Sequence, residues 1–316
     1  MKLFKWIALS FTFICASVSA QNLSIATGGT GGVYYPMGGG LAAVLSSKVP
    51  GMSATAEVTG GSVDNLKLVG TGKPYVAFSM ADAAKDATSG ADKFKDKPID
   101  IRTLLILYPN QMHVATVEST GIKTMADLKG KRISTGSPGS ATEVMAFRLL
   151  EAADIDLNKD IKRERLSVVE SVNAVKDRKI DAFFWVGGLP TAAVTDLANS
   201  PGMKIVMIDT AAEVPAMNKK YGNLYFLSVI TKQTYSGMAK DNNVAAVANL
   251  LVVSASMSND EAYKIVKAIF DNQLDLVRSH AEYRNVKLDA QKASATPIAY
   301  HPGALKYFKE KGIKVN

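Results

Sequence analysis

Five short segments hold the residues best suited to chemistry, and each is rich in glycine or serine rather than in charge. They are Thr27-Gly28-Gly29-Thr30-Gly31-Gly32, Thr59-Gly60-Gly61-Ser62, Ser79-Met80-Ala81-Asp82, Gly136-Ser137-Pro138-Gly139-Ser140 and Val186-Gly187-Gly188-Leu189. Each follows a short apolar run and precedes a stretch with helical spacing. That position exposes the unpaired N–H groups and positive dipole end of a helix start, which hold a carboxylate or phosphate without a cationic side chain. Glycine permits close backbone approach, and the hydroxyls donate or accept. The same residues also serve as ordinary caps and turns, Ser62, Ser79 and Ser140 among them. Asp82 is the one charged side chain in these loops. It either meets a ligand ammonium group or caps its own helix.

Aromatic residues supply walls. Tyr34 and Tyr35 follow the first glycine loop, Tyr108 lies at an expected crossing, and Phe183-Phe184-Trp185 ends a run. Strand alternation sends Phe183 and Trp185 to one side and Phe184 to the other. Trp185, beside Gly187-Gly188, is the pocket residue of the three.

Enzyme signatures fail one by one. Gly31-Gly32 is followed by Val33-Tyr34, so the Gly-Lys-Ser/Thr of a phosphate loop is missing. Tyr34 stands where a dinucleotide fingerprint needs its third glycine. His113, His280 and His301 lie at no metal-ligand spacing, and residues 136–140 do not form Gly-x-Ser-x-Gly. No catalytic residue, metal or cofactor is expected.

The elements that position these loops alternate strand and helix. Leu23–Ala26, Ala54–Val58, Tyr75–Phe78, Arg132–Thr135 and Asp181–Trp185 read as strands, each leading through its loop into a helix; Pro190 is expected in the first turn of the last. Alternation of this kind predicts an α/β fold with parallel sheets flanked by helices. Ile101–Tyr108 and His113–Val117 flank Pro109-Asn110 and are expected to cross between two lobes. Leu224–Ile230, Val247–Val253 and a helix opened by Ser258-x-x-Glu261 complete the pattern. The expected division is residues 21–112 plus 229–316 for lobe I and residues 113–228 for lobe II.

Residues 1–20 read as a signal peptide. Lys2 and Lys5 precede the apolar run Trp6–Cys15, and Ser17-Val18-Ser19-Ala20 offers cleavage after Ala20. The run is shorter than the ~20 residues a membrane span needs. Cleavage removes the single cysteine, and with it any disulfide or thiolate chemistry. It also lowers the formal +8 charge by two, leaving scattered positive residues and a mild bias toward anions. Basic clusters interleaved with aromatics are absent, which argues against nucleic acid.

These stretches resemble the TAXI family, receptors of one branch of the tripartite ATP-independent periplasmic (TRAP) transporters. The resemblance is carried by residues 25–36, 59–66, 136–142 and 179–191 and by His301-Pro302-Gly303-Ala304, in the family's order. It implies a two-lobed, type II-like periplasmic binding fold with a ligand cleft between the lobes. It further implies a periplasmic location, integral-membrane TRAP permease subunits as partners, and a ligand such as glutamate, glutamine, 2-oxoglutarate or a related dicarboxylate. One departure is Ile230-Thr231-Lys232-Gln233-Thr234-Tyr235, where relatives carry a proline-containing segment. Lys232 is there either a solvated surface charge or an added anion contact.

On this reading Thr30, Tyr35, Ser62, Asn65, Ser79, Ser137, Ser140, Thr142 and Trp185 line the cleft and grip a small organic anion, with Asp82 and Gly187 as further candidates. Two rivals remain: a binding protein for an ATP-driven (ABC) importer or a sensor kinase, and an exported hydrolase using Asp82 with His113.

Overall fold

Apolar runs form most of the strands, and the three- or four-residue spacing between them forms the helices. The computed structural model describes residues 21–315; the expected signal peptide lies outside the described residues. The order is β1 (Gln21–Ala26), α1 (Tyr34–Lys48), β2 (Met52–Glu57), α2 (Ser62–Val69), β3 (Tyr75–Met80), α3 (Ala81–Ser89) and β4 (Ile101–Val117). Next come β5 (Arg132–Ser134), α4 (Ala141–Ala152), β6 (Lys162–Glu164), α5 (Val168–Lys176), β7 (Ala182–Gly187), α6 (Ala192–Ala198) and β8 (Ile205–Met207). The chain closes with α7 (Val214–Tyr221), β9 (Tyr225–Ile230), β10 (Asn242–Ser254), α8 (Asn259–Asp271), α9 (Gln273–Ser279) and α10 (Pro302–Glu310).

One mixed sheet runs through the molecule in the order β2-β1-β3-β10-β4-β7-β5-β6, with β8 against β4 and β9 against β10. Strands β1, β2 and β3 are mutually parallel, as are β5, β6 and β7. Two antiparallel steps through β10 give β4 the sense of β3, and β7 runs against β4. The two parallel sets therefore point their carboxyl ends toward each other, across the middle of β4. In open parallel sheets those ends are where helix starts gather and ligands bind.

The larger of two buried clusters runs through both halves, taking Ile133, Val144, Leu149 and Phe184 from the second, and the smaller lies within the second half. Leu23, Ile25, Leu41, Val76, Leu250 and Ile265 belong to one buried cluster. Val172, Phe183, Val194, Leu197, Tyr235 and Val244 belong to a second. Phe183 and Phe184 fall in different clusters, with Trp185 packed on the side of Phe183, as strand alternation requires.

Several boundaries differ from the sequence reading. Pro109-Asn110 does not interrupt a strand; β4 continues through it, and Pro109 lies opposite Ala248 where the register with β10 shifts. The irregularity accommodates a residue with no N–H to give the ladder. Ser79 and Met80 still belong to β3, and α3 starts at Ala81 without a loop between them. Strand β7 runs on through Val186 and Gly187, and Pro190 precedes α6 rather than opening it. The return toward the first half falls inside β10, where Val247 pairs with β9 and Asn249 with β3. Ile230, Tyr235 and Val244 accordingly pack in the second cluster, although the segment from 229 was expected with the first lobe.

Candidate ligand-binding cleft

Where the carboxyl ends of the two parallel sets meet, they enclose a cavity of about 390 Å³. One wall is built from residues 28–34 and 58–62, before and into α1 and α2. The facing wall comes from residues 136, 137, 140–142, 167–170 and 185–187. Tyr108 and Asn110 on β4, with Met80 at the end of β3, form the floor. The starts of α1, α2, α4 and α5 thus face one space.

Their capping leaves amides available. Ser140 accepts from the Glu143 amide at 3.2 Å, and Ser167 with Glu170 forms a reciprocal capping box. The first-turn amides of Val63, Ala141, Thr142, Val168 and Val169 donate to no acceptor among the described residues. Each helix start contributes roughly half a positive charge. Among the described residues lining the cavity, Glu170 is the sole charged one, and it is exposed with its carboxylate held by the Ser167 amide.

Hydroxyls add to this set. Thr142 Oγ1 accepts from the Val186 amide at 3.3 Å, which leaves its own proton to donate. Ser62 Oγ accepts from the Met80 amide at 3.1 Å. Thr30 and Ser137 also line the space.

Trp185 is held by a relay. The Thr191 amide donates to Tyr235 Oη at 3.0 Å, and Tyr235 meets His113 Nε2 at 2.9 Å. His113 Nδ1 lies 3.0 Å from the Gln111 carbonyl, so Nδ1 carries the proton and Nε2 accepts from Tyr235. Burial lowers the His113 pKa to about 4, which keeps the ring neutral. Thr191 Oγ1 in turn accepts from the Trp185 indole at 2.9 Å. The indole lies between Gly32 and Gly187; a Cβ at either would stand 2.9 or 2.4 Å from it.

The walls already touch. The Asp64 amide donates to the Gly139 carbonyl at 3.1 Å, and the Ala193 amide to the Gly31 carbonyl at 3.3 Å. A Cβ at Gly31 would stand 2.2 Å from Val169, and one at Gly60 2.6 Å from the Pro138 carbonyl. Glycine at these positions permits the approach.

Of the residues expected to line the cleft, Thr30, Ser62, Ser137, Ser140, Thr142, Trp185 and Gly187 surround the cavity. Tyr35, Asn65, Ser79 and Asp82 lie outside its lining. Tyr35 is one helical residue past Tyr34, about 100° round the axis, and faces solvent. Asn65 is fully buried and donates to the carbonyls of Ala26, Thr27 and Phe78, tying β1 to β3. Ser79 points away from Met80 by strand alternation and donates to the Met80 carbonyl. Asp82 accepts from Tyr225 at 3.0 Å and lies 3.8 Å from Arg148, which also pairs with Asp86. Burial pushes its carboxyl up against the pull of that guanidinium. The α3 N-cap is Met80, so Asp82 is not the cap either, although it accepts from the Ala83 amide. Neither Asp82 nor His113 lines the cavity, which separates the pair proposed for hydrolysis from it. Lys232 is exposed and outside the lining.

Sequence reasoning missed residues 167–170. Ser167-x-x-Glu170 is a capping box like that at Ser258, but β6 before it is Lys-Arg-Glu and carries no apolar run to announce a strand.

Solved structures share this architecture. MatC from Rhodopseudomonas palustris, solved with bound malate, matches at TM-score 0.54 and 12% identity, over 83% of this chain and 88% of that one. A structure described as a periplasmic transporter matches at TM-score 0.52 and 13% identity, over 92% of both chains. The alkanesulfonate-binding protein SsuA from Xanthomonas axonopodis pv. citri, bound to MOPS, matches at TM-score 0.50 and 15% identity, over 92% of this chain and 83% of that one. The fold is therefore that of the periplasmic binding proteins. Within that class the sequence is specific: the profile of the NMT1-like family matches residues 25–312, and the chain belongs to that family.

Proposed function

We propose that the protein is an extracytoplasmic solute receptor that captures a small organic anion for a TRAP transporter. The observation that carries this reading is the convergence of four helix starts on one cavity without a cationic side chain in its lining. Charge-assisted bonds of this kind contribute roughly 1.5–3 kcal/mol each. Three to five of them, less the cost of immobilisation, reach about −8 kcal/mol, a micromolar Kd. Contacts between the walls at Gly31 and Gly139 complete the enclosure around the ligand. The TAXI resemblance supplies the permease partner and the periplasmic location.

Thermal unfolding of the purified protein with a panel of carboxylates, 2-oxo acids, amino acids and sulfonates tests the ligand class. A carboxylate at a hundredfold excess over its Kd stabilises by about 2.7 kcal/mol. Thr142→Val, which removes a donor and keeps the shape, reduces the shift. A panel in which only neutral or cationic compounds raise the melting temperature overturns the reading. Uptake by receptor and permease in proteoliposomes, driven by a sodium gradient without ATP, separates a TRAP partner from an ATP-driven importer.

A further inference from the structure

The floor of the cavity holds two polar groups that the protein leaves unsatisfied. Tyr108 and Asn110 are 2% and 1% exposed, yet Tyr108 Oη and Asn110 Oδ1 have no hydrogen-bond partner among the described residues. Both line the cavity. They stand two residues apart on β4, so strand alternation puts them on one face, with exposed Pro109 on the other. Asn110 is oriented by its neighbours: its Nδ2 donates to Asn249 Oδ1 at 2.8 Å and to Tyr34 Oη at 3.3 Å. Tyr34 also donates to Asn249 Oδ1. That network engages one end of the Asn110 amide and leaves Oδ1 free, with the Asn249 Nδ2 left free in the same way. Burial holds the Tyr108 hydroxyl well above the ordinary phenol range, so it is neutral and able to donate.

We propose that Tyr108 and Asn110 together read a hydroxyl group on the ligand, making the protein a receptor for hydroxycarboxylates. This rests on the anion reading above and goes beyond it by assigning the floor. A ligand hydroxyl accepts from Tyr108 Oη and donates to Asn110 Oδ1, satisfying both. A keto oxygen accepts from Tyr108 but leaves Asn110 Oδ1 unpaired. An ammonium group donates to Asn110 but brings a charge to a floor of Met80, Tyr108 and Asn110, none of which carries a carboxylate; the one lining carboxylate, Glu170, is on the facing wall and held by the Ser167 amide. An unsubstituted chain leaves both groups unpaired. Each buried group left without a partner lowers affinity by about tenfold.

Calorimetric titration of five-carbon acids tests the assignment. The diacid series comprises glutarate, 2- and 3-hydroxyglutarate, 2-oxoglutarate and glutamate. The monoacid series comprises valerate, 2- and 3-hydroxyvalerate, 2-oxovalerate and norvaline. In the series that binds, a hydroxy acid is expected to bind about tenfold more tightly than its oxo and amino counterparts and about a hundredfold more tightly than the unsubstituted acid. Tyr108→Phe removes an unpartnered hydroxyl, so the variant folds normally. It is expected to cut the hydroxy acid's advantage over the unsubstituted acid about tenfold while leaving its advantage over the oxo acid, which Asn110 sets, in place. An oxo or amino acid binding as tightly as the hydroxy acid overturns the proposal, as does a Tyr108→Phe variant that weakens every acid alike. Both of those outcomes leave the anion reading standing. Absence of binding by both series removes this assignment, while the anion reading is decided by the wider panel.

Discussion

Arg148 is the side chain on which the most buried charge depends. It sits on α4, 5% exposed, against Asp82 and Asp86 of α3, within hydrogen-bond reach of Tyr225 and stacked 4.4 Å over the Tyr221 ring. Removing one partner of such a cluster strands the others in a poorly solvating interior. Arg148→Met is expected to cost about 3–5 kcal/mol in chemical denaturation, and Asp82→Asn added to it should recover part of the loss. His113 gives a second prediction. Its folded pKa, about 4, lies below the unfolded 6.5, so the unfolded chain binds the extra proton and stability falls as pH drops from 6.5 toward 4. Full loss amounts to roughly 3 kcal/mol. Buried carboxyls with raised pKa, Asp82 and Glu282, act in the opposite sense over this range, and His280 and His301 in the same sense. The difference between wild type and His113→Gln isolates the term: the variant should lose less stability between pH 6.5 and 4.5. Parallel curves would refute it. None of these partnerships was legible in the sequence, because Arg148, Tyr225 and Asp82 are far apart along the chain and meet only through tertiary packing. Hydroxyls at loop ends were legible because local spacing alone puts them there.

At the scale of elements, helix starts surround the cavity and glycines set how closely its walls approach. Gly31→Ala places a Cβ 2.2 Å from Val169 and 3.3 Å from Ala193 on the facing wall. Overpacking of this kind costs about 1 kcal/mol, roughly fivefold in Kd for whichever anion the panel identifies. The unliganded melting temperature should move by no more than about 2 °C, since the added methyl opposes wall contact rather than core packing. Equal affinity for variant and wild type would show that the walls need not meet. The first, second and fourth glycine loops announced themselves by composition. Residues 167–170 did not, since the three-residue charged strand before them has no periodicity to read, and Ser79 failed because β3 passes straight into α3.

For the whole molecule, alternating strands and helices foretold the α/β class, and the run from Ile101 to Val117 foretold a crossing. What they did not foretell was where the chain returns: Asn242–Ser254 is one strand, and nothing within it marks the point at which its neighbour changes from β9 to β3. Pairing across the sheet, which is non-local, decides that.

The two long strands also enter and leave the second half side by side, with Asn110 opposite Val247. Topologically that half is an insert whose two ends already sit at the spacing of a strand pair, about 5 Å. A module of this geometry can be exchanged for another with the same paired ends while the surrounding half keeps the first and last described residues. New selectivity can then arise by grafting one wall, leaving the other untouched.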